Sequence, residues 1–347
     1  MGHPIGTFRV AGCLSTALLV FGAAANAQVQ QFASLGDVRL ESGEILRDCR
    51  IGYRTVGTLA PDKSNVVLMP TWASGTSEQI VSGQLGPGRL VDTTKYYAVV
   101  VDALANGISS SPSNSQQQPR MQFPRITIRD MVETQHALLT RVLGFERVHA
   151  IVGTSMGGMQ VFQWIVSHPG FMDVAVPIVG SPRLAPYDLL HWKTQIDAIT
   201  NDPAWNGGNY AEIPARVAGA EFGALLLTSP AHYNRTTTRA QVFDELERAR
   251  TAPAFDANDK IRQTQAMMAL DVGDAFGGSL EKAAAAVKAR VLVVVATADH
   301  VVTPEPALEF ARLLGVPALV LESDCGHLAP GCEPTRVNEA LAAFLAR

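Results

Sequence analysis

The chain has 347 residues, 47% of them hydrophobic, 17% charged and 7% aromatic, an ordinary globular composition that excludes disorder and can bury a sizeable core. Its 28 basic and 32 acidic residues leave a net charge of −4, and no dense Lys/Arg run is present, so neither nucleic acid nor an anionic membrane is an expected partner. A small-molecule substrate fits this balance. Neither an H-E-x-x-H nor a paired C-x-x-C stretch occurs, so no metal or cofactor is expected.

The N-terminus reads as a secretory signal over residues 1–27. Arg9 supplies the positive region, Val10 to Ala24 is mostly apolar, and small residues at Ala25 and Ala27 allow cleavage before Gln28. The apolar stretch is shorter than the roughly 20 residues a bilayer requires, so an exported protein, periplasmic or secreted, is predicted rather than a stable membrane anchor. "VAGC" at Val10 to Cys13 mimics a lipoprotein cleavage box, but a cut there would leave too few apolar residues ahead of it. With Cys13 removed, Cys49, Cys325 and Cys332 remain in an oxidising compartment. Cys325 and Cys332 bracket "GHLAPG", where a small disulfide loop is expected, with two unlinked thiols as the alternative; Cys49 is expected to be free and buried.

From Val38, "VRLESGEILRDCRIGYRTVG" reads as two β-rich pieces broken at Ser42-Gly43, an antiparallel hairpin. Four nearly continuous apolar runs follow: "NVVLMP" from Asn65, "YYAVVVD" from Tyr96, "VHAIVG" from Val148 and "VAVPIVG" from Val174. Such runs belong to strands covered on both faces. Between the second and third, Ile128, Met131, Leu138, Leu139 and Val142 fall on one helical stripe ending at Gly144. Strand and helix alternate again at the C-terminus, with "RVLVVVATAD" (Arg290 to Asp299), a helix through "PEPALEFARLLG", "ALVLESD" (Ala318 to Asp324) and a closing helix from Pro334. The interval 184–282 lacks long apolar runs and reads as a helical lid inserted between two parts of the core, 28–183 and 283–347, over the C-terminal edge of a mostly parallel sheet.

"AIVGTSMGGMQ" (Ala150 to Gln160) contains G-x-S-x-G around Ser155, a weak pattern when alone. It gains meaning from its place between the apolar strand "VHAIV" and the helical "MGGMQVFQWIVSHPG", the strand, sharp turn and helix of a nucleophile elbow. A serine hydroxyl needs a base to take its proton, and the base needs a carboxylate to fix its tautomer. Asp299 and His327 both follow C-terminal strand ends, as Ser155 does, in the order serine, acid, histidine. The N–H of Met156 at the helix start is placed to hold an oxyanion, and a second donor is expected from "PTWASG", at Ala73 or Trp72. His300, Asp324 and Asp102 compete more weakly for the base and acid roles, and His136, His149, His168, His191 and His232 read as structural.

With these motifs in place, the chain from about Leu40 onward resembles the homoserine O-acetyltransferase branch of the α/β-hydrolase superfamily. "LESGEILRDCRIGYRTVGTL" is similar to its N-terminal hairpin, "GTSMGGMQVFQW" to its elbow, "NDPAWNGGNY" to part of its lid, and "DHVVTPEPA" to its acid loop. The resemblance implies an α/β-hydrolase fold, with Ser155 as nucleophile, Asp299 as acid and His327 as base, and it allows a homodimer through lid contacts. Leu328, however, stands where the transferases carry an Asp that holds the amino group of homoserine, and "HYNRTTTRAQVF" lacks the lid Arg pattern for its carboxylate. "NGISSSPSNS" (Asn106 to Ser115) looks more like the counterpart in esterase-like members. Acetyl-CoA is intracellular, so export also favours water as acceptor. The expected activity is hydrolysis of short-chain esters, acetyl esters foremost, through an acyl-enzyme, with O-acyl transfer to a small alcohol as the alternative.

Overall fold

Val66 to Pro70 shows why the apolar runs have no alternation: Val66 and Leu68 are buried in one core layer while Val67 and Met69 are buried in the other. The same split divides Val99 and Val101 from Ala98 and Val100, so these strands are covered on both faces. The computed structural model describes residues 1–2, 29–251 and 253–347; residues 3–27 of the expected signal, its cleavage point and Cys13 lie outside the described residues.

Among the described residues nine strands form one sheet: β1 (Gln31–Arg39), β2 (Ile45–Val56), β3 (Val66–Pro70), β4 (Tyr97–Val101), β5 (Val148–Thr154), β6 (Met172–Ile178), β7 (Arg290–Val291), β8 (Val293–Ala296) and β9 (Ala318–Leu321). Their order is β1-β2-β4-β3-β5-β6-β8-β9, with β7 also beside β6. The β1–β2 hairpin and the β2–β4 pair are antiparallel, and all later pairs are parallel. Gly43, at φ +86°, closes the hairpin where Ser42-Gly43 signals it, although β1 begins at Gln31, seven residues before Val38. The apolar run from Arg290 splits at Leu292, whose N–H still donates to the Ala175 carbonyl at 3.0 Å.

Among the described residues the helices are α1 (Ser77–Gln84), α2 (Ile128–Ala137) and α3 (Met156–Ser167), then α4 (Pro186–Thr200), α5 (Arg216–Leu226), α6 (Pro230–Thr236), α7 (Arg239–Ala249) and α8 (Ala257–Met268), and finally α9 (Leu280–Ala286), α10 (Glu305–Leu314), α11 (Ala329–Cys332) and α12 (Pro334–Leu345). One face of the sheet packs on α2, α3, α9 and α10 through Met131, Phe162, Ala283 and Phe310; the other packs on α1 and α12 through Ile80 and Leu341. The stripe expected to run to Val142 ends earlier. After α2 the chain widens into a π-turn over Leu138–Val142, closed by Leu143 N–H to Leu138 C=O at 3.0 Å, and this shift of register leaves Val142 exposed.

Helices α4 to α8 stand between β6 and β7. Helices α5, α6 and α7 bury no residue, whereas α8 buries Ile261, Ala266 and Met267 and fastens the group to the core. Leu280, Ala283 and Ala284 of α9 lie in the main core, so the lid boundary expected at 282 falls inside a core helix. A buried acid on α8 gives this region a pH signature. Asp259 accepts from Ser113 N at 2.9 Å and Ser113 Oγ at 2.5 Å, yet burial pushes its carboxyl up to about 7. The unfolded chain loses this proton near its ordinary value and the folded chain only near 7. Stability contributed by Asp259 therefore falls between those limits as pH rises, by at most about 1.4 kcal/mol per pH unit. Asp259→Asn should flatten this decline in urea melts at about pH 5 and about pH 8; an identical pH slope in the variant would contradict it.

Candidate active site

The sheet order places the end of β3 beside the end of β5. From β3 the chain crosses to β4 on one side, and from β5 it crosses to β6 on the other, so the crevice where parallel α/β sheets bind ligands opens between these two strand ends. Ser155 follows β5 directly at φ +59° and ψ −123°, a conformation disfavoured for a non-glycine residue. Its N–H donates to Ile178 C=O of β6 at 2.8 Å, which holds the turn against the sheet. The glycines of the motif are required by crowding. A Cβ on Gly153 would lie 2.3 Å from Gly157 O, and one on Gly157 would lie 2.6 Å from Pro70 O.

Asp299 and His327 meet Ser155 across this crevice. His327 Nε2 is 2.8 Å from Ser155 Oγ, and His327 Nδ1 is 2.7 Å from Asp299 Oδ2. The acid and the histidine are only 3% and 7% exposed. Asp299 Oδ1 accepts from the backbone N–H of Val301 at 2.8 Å and of Val302 at 3.0 Å, which fixes the carboxylate plane. The carboxylate in turn favours the proton on Nδ1, leaving Nε2 free to accept the serine proton. Lid helix α4 anchors the same loop: His191 Nε2 donates to Val301 C=O at 2.8 Å, and Asp188 accepts from Thr303 N and Oγ1, each at 3.1 Å. Burial lowers the His191 pKa, which favours the neutral ring.

Asp102 and Asp324, two of the weaker candidates, are engaged elsewhere. Asp102 accepts from Ser77 N at 2.7 Å, Ser77 Oγ at 2.8 Å and Asn106 Nδ2 at 3.0 Å, tying the end of β4 to the first turn of α1. Asp324 holds Arg235 and, at 3.1 Å, His232; these two groups keep its carboxyl well below the usual range. His149 meets Leu345 C=O at 2.9 Å, and His168, stacked on His136, meets Glu133 at 3.1 Å. Cys325 and Cys332 are joined in a disulfide that closes the loop bearing His327, while Cys49 is a buried free thiol pushed up to about 12 by desolvation.

Met156 opens α3, so its N–H is one of the helix-start donors without an intrahelical acceptor. Ala73 lines the same cavity as Ser155, in a tight turn with Gly75 N–H donating to Trp72 C=O at 3.0 Å and Ser74 at φ +59°. Two buried glutamines that sequence reading did not single out hold this turn. Gln160 Nε2 donates to Thr71 C=O and to Met156 C=O, each at 3.1 Å, so it links the loop to the elbow helix. Gln263 of α8 accepts from Ser74 N at 2.7 Å and donates to Leu104 C=O at 3.1 Å. A polar residue inside an otherwise apolar helix face is the signal that could have found Gln160; Gln263 contacts a loop 189 positions away, which no local pattern reports. Gln263→Leu would strand the Ser74 amide and loosen Ala73. A kcat loss of about tenfold, larger than any change in KM, is expected in steady-state kinetics, and a loss confined to KM would refute the positioning role.

The cavity above Ser155 has a volume of about 830 Å³ and is walled largely by Trp72, Trp192, Phe222, Leu226, Met267 and Leu328. Among the described residues no acidic side chain lines it. A family model described as the alpha/beta hydrolase fold matches residues 66–331. The chain belongs to that family. It is 33% identical over 330 residues to the ethyl acetate hydrolase of Pseudomonas veronii, covering 91% of this chain and 94% of that one. It is also 31% identical over 344 residues to the homoserine O-acetyltransferase of Methanohalophilus mahii, covering 88% of this chain and 70% of the relative. The crystal structure of an acetylester hydrolase from Corynebacterium glutamicum superposes with a TM-score of 0.86 at 28% identity, covering 92% of this chain and 96% of that one. Within the family the chain is an esterase-like member of the homoserine O-acetyltransferase-like branch, an enzyme that hydrolyses or transfers acyl groups.

Proposed function

We propose that this protein is an exported serine hydrolase of short-chain acyl esters, acetyl esters foremost. Ser155 Oγ attacks the ester carbonyl while His327 Nε2 takes its proton, and the N–H groups of Met156 and Ala73 receive the oxyanion. His327 returns the proton to the leaving alcohol, giving an acyl-Ser155 ester. Water, deprotonated by His327, then releases the acid and restores the serine. Asp299 keeps the imidazole oriented and stabilises its charged form throughout.

The observation that carries the choice of acceptor is the lining of the cavity. Leu328 presents an apolar side chain beside His327, and no acid on the described walls would pair with the ammonium group of homoserine. A buried ammonium without a partner costs several kcal/mol, more than a site selecting that acceptor could tolerate. The ethyl acetate and acetylester hydrolases to which the chain is similar support small acetyl esters as the substrate class. The N-terminal signal pattern supports export.

The similarity to homoserine O-acetyltransferases favours acyl transfer as the second reading. The test is to follow purified mature protein with p-nitrophenyl acetate and rising homoserine, and with acetyl-CoA plus homoserine. Free acetate as the dominant product in both is expected for the hydrolase. O-acetylhomoserine formed faster than acetate would establish the transferase instead.

A further inference from the structure

The chamber over Ser155 is larger than an acetyl group needs. At roughly 30 Å³ per water-sized group, 830 Å³ leaves most of its space to the alcohol half of the ester. A second compartment of about 290 Å³ opens off it between α4, α5 and α8, and Gln195, Gly219, Phe222 and Lys260 line both spaces. Lys260 thus stands at the junction. Among the described residues its ammonium has no hydrogen-bond or ion-pair partner. The acids nearest in sequence are committed elsewhere: Asp256 to Tyr210 Oη at 2.6 Å and to the Asn258 N–H at 2.9 Å, and Asp259 to Ser113. The described charged side chains on the wall of the side compartment, Lys260 and Arg216, are both basic.

A half-buried lysine without a counter-charge is a cost to the empty protein that an anionic ligand would remove. Desolvation lowers the Lys260 pKa, in keeping with that cost. Resting on the hydrolase reading above, in which the acyl half is small, we propose that the side compartment is an anion subsite: it receives a carboxylate at the far end of the alcohol half and pairs it with Lys260. The substrate class is then an acetyl ester of a hydroxy acid, cleaved to acetate and the hydroxycarboxylate, with the alkoxide oxygen taking its proton from His327. The absence of an acid for an ammonium group separates this class from amino-acid esters.

The test compares kcat/KM for acetoxybutanoate, acetoxyhexanoate and acetoxyoctanoate, each esterified at its terminal hydroxyl, with their neutral primary amides. At least one anion should exceed its amide by about tenfold in the wild-type enzyme, the equivalent of one charge-assisted contact. Lys260→Met should abolish that ratio and Lys260→Arg should retain it. A ratio near one for every length in the wild type, or a preference surviving in Lys260→Met, overturns the inference; the first result needs no folded variant. Turnover of p-nitrophenyl acetate without anion preference overturns the subsite alone, whereas loss of all ester turnover overturns the hydrolase reading. In that second case, calorimetric binding of ω-hydroxyhexanoate to the wild-type protein, lost in Lys260→Met, supports the anion subsite, and no binding overturns it.

Discussion

Replacing Ser155 with alanine is expected to lower kcat for p-nitrophenyl acetate by roughly five to six orders of magnitude while leaving the fold intact. The magnitude follows from the cooperative nature of a nucleophile and its base: removing either member alone costs about as much as removing both, because neither accelerates the reaction without the other. Ser155 Oγ lies 2.8 Å from His327 Nε2, so the proton has a direct path, and among the described residues no other hydroxyl lies within hydrogen-bond distance of that nitrogen. Alanine fits the space left by serine. The positive φ at this position remains a cost for either residue, so the melting temperature should stay close to that of the wild type. Residual catalysis above the rate in water would measure what the oxyanion donors and the cavity supply by themselves. Full turnover in the purified variant would remove Ser155 from the chemistry.

Asp299→Asn tests the other end of the same relay and should reduce kcat about 10⁴-fold. The side chain keeps its shape, and its carbonyl oxygen can still accept from Val301 and Val302 at the positions now held by Oδ1. The amide then turns an N–H toward His327 Nδ1, which must become the acceptor, so the ring proton moves to Nε2. That tautomer cannot take a proton from Ser155. KM should change far less than kcat, because Asp299 is buried behind the ring and does not line the cavity. A loss below about tenfold would indicate that another carboxylate orients His327, despite Asp102 and Asp324 being engaged by other partners.

These expectations rest on features that differ in how far the sequence exposes them. The core strands are legible because burial on both faces writes a continuous apolar run, as in "NVVLM" and "YAVVV". The elbow is legible because its crowding forbids a side chain at Gly153 and Gly157, and this requirement fixes residue type at fixed spacing. Asp299 and His327, the proposed acid and base, are legible from their place after strand ends, since a parallel sheet delivers all such ends to one edge. The residues that meet at the proposed site were therefore readable without the contacts that bring them together.

What remained hidden is non-local. The cavity is apolar although no apolar groove pattern appears in the sequence, because Trp72, Trp192, Phe222 and Met267 come singly from a loop and three helices. Val142 continues a helical stripe by spacing, but a π-turn adds a residue to the preceding loop of backbone and turns it outward. Gln263 and Lys260 lie three residues apart on α8, one fixing the turn that bears Ala73 and the other facing the side compartment. Neither role has a local signature. Both depend on where α8 is anchored, which is decided by the packing of Ile261, Ala266 and Met267.

The central claim is that the acyl group passes through Ser155. Rapid quenching of the wild-type enzyme with p-nitrophenyl acetate, followed by peptide mass spectrometry, tests it most directly. The account predicts an acetyl group on the peptide containing Ser155, formed within the first turnover, lost on further incubation in water and absent from Ser155→Ala. Steady turnover with the acetyl group on a different residue, or unchanged turnover after Ser155 is blocked, would contradict it.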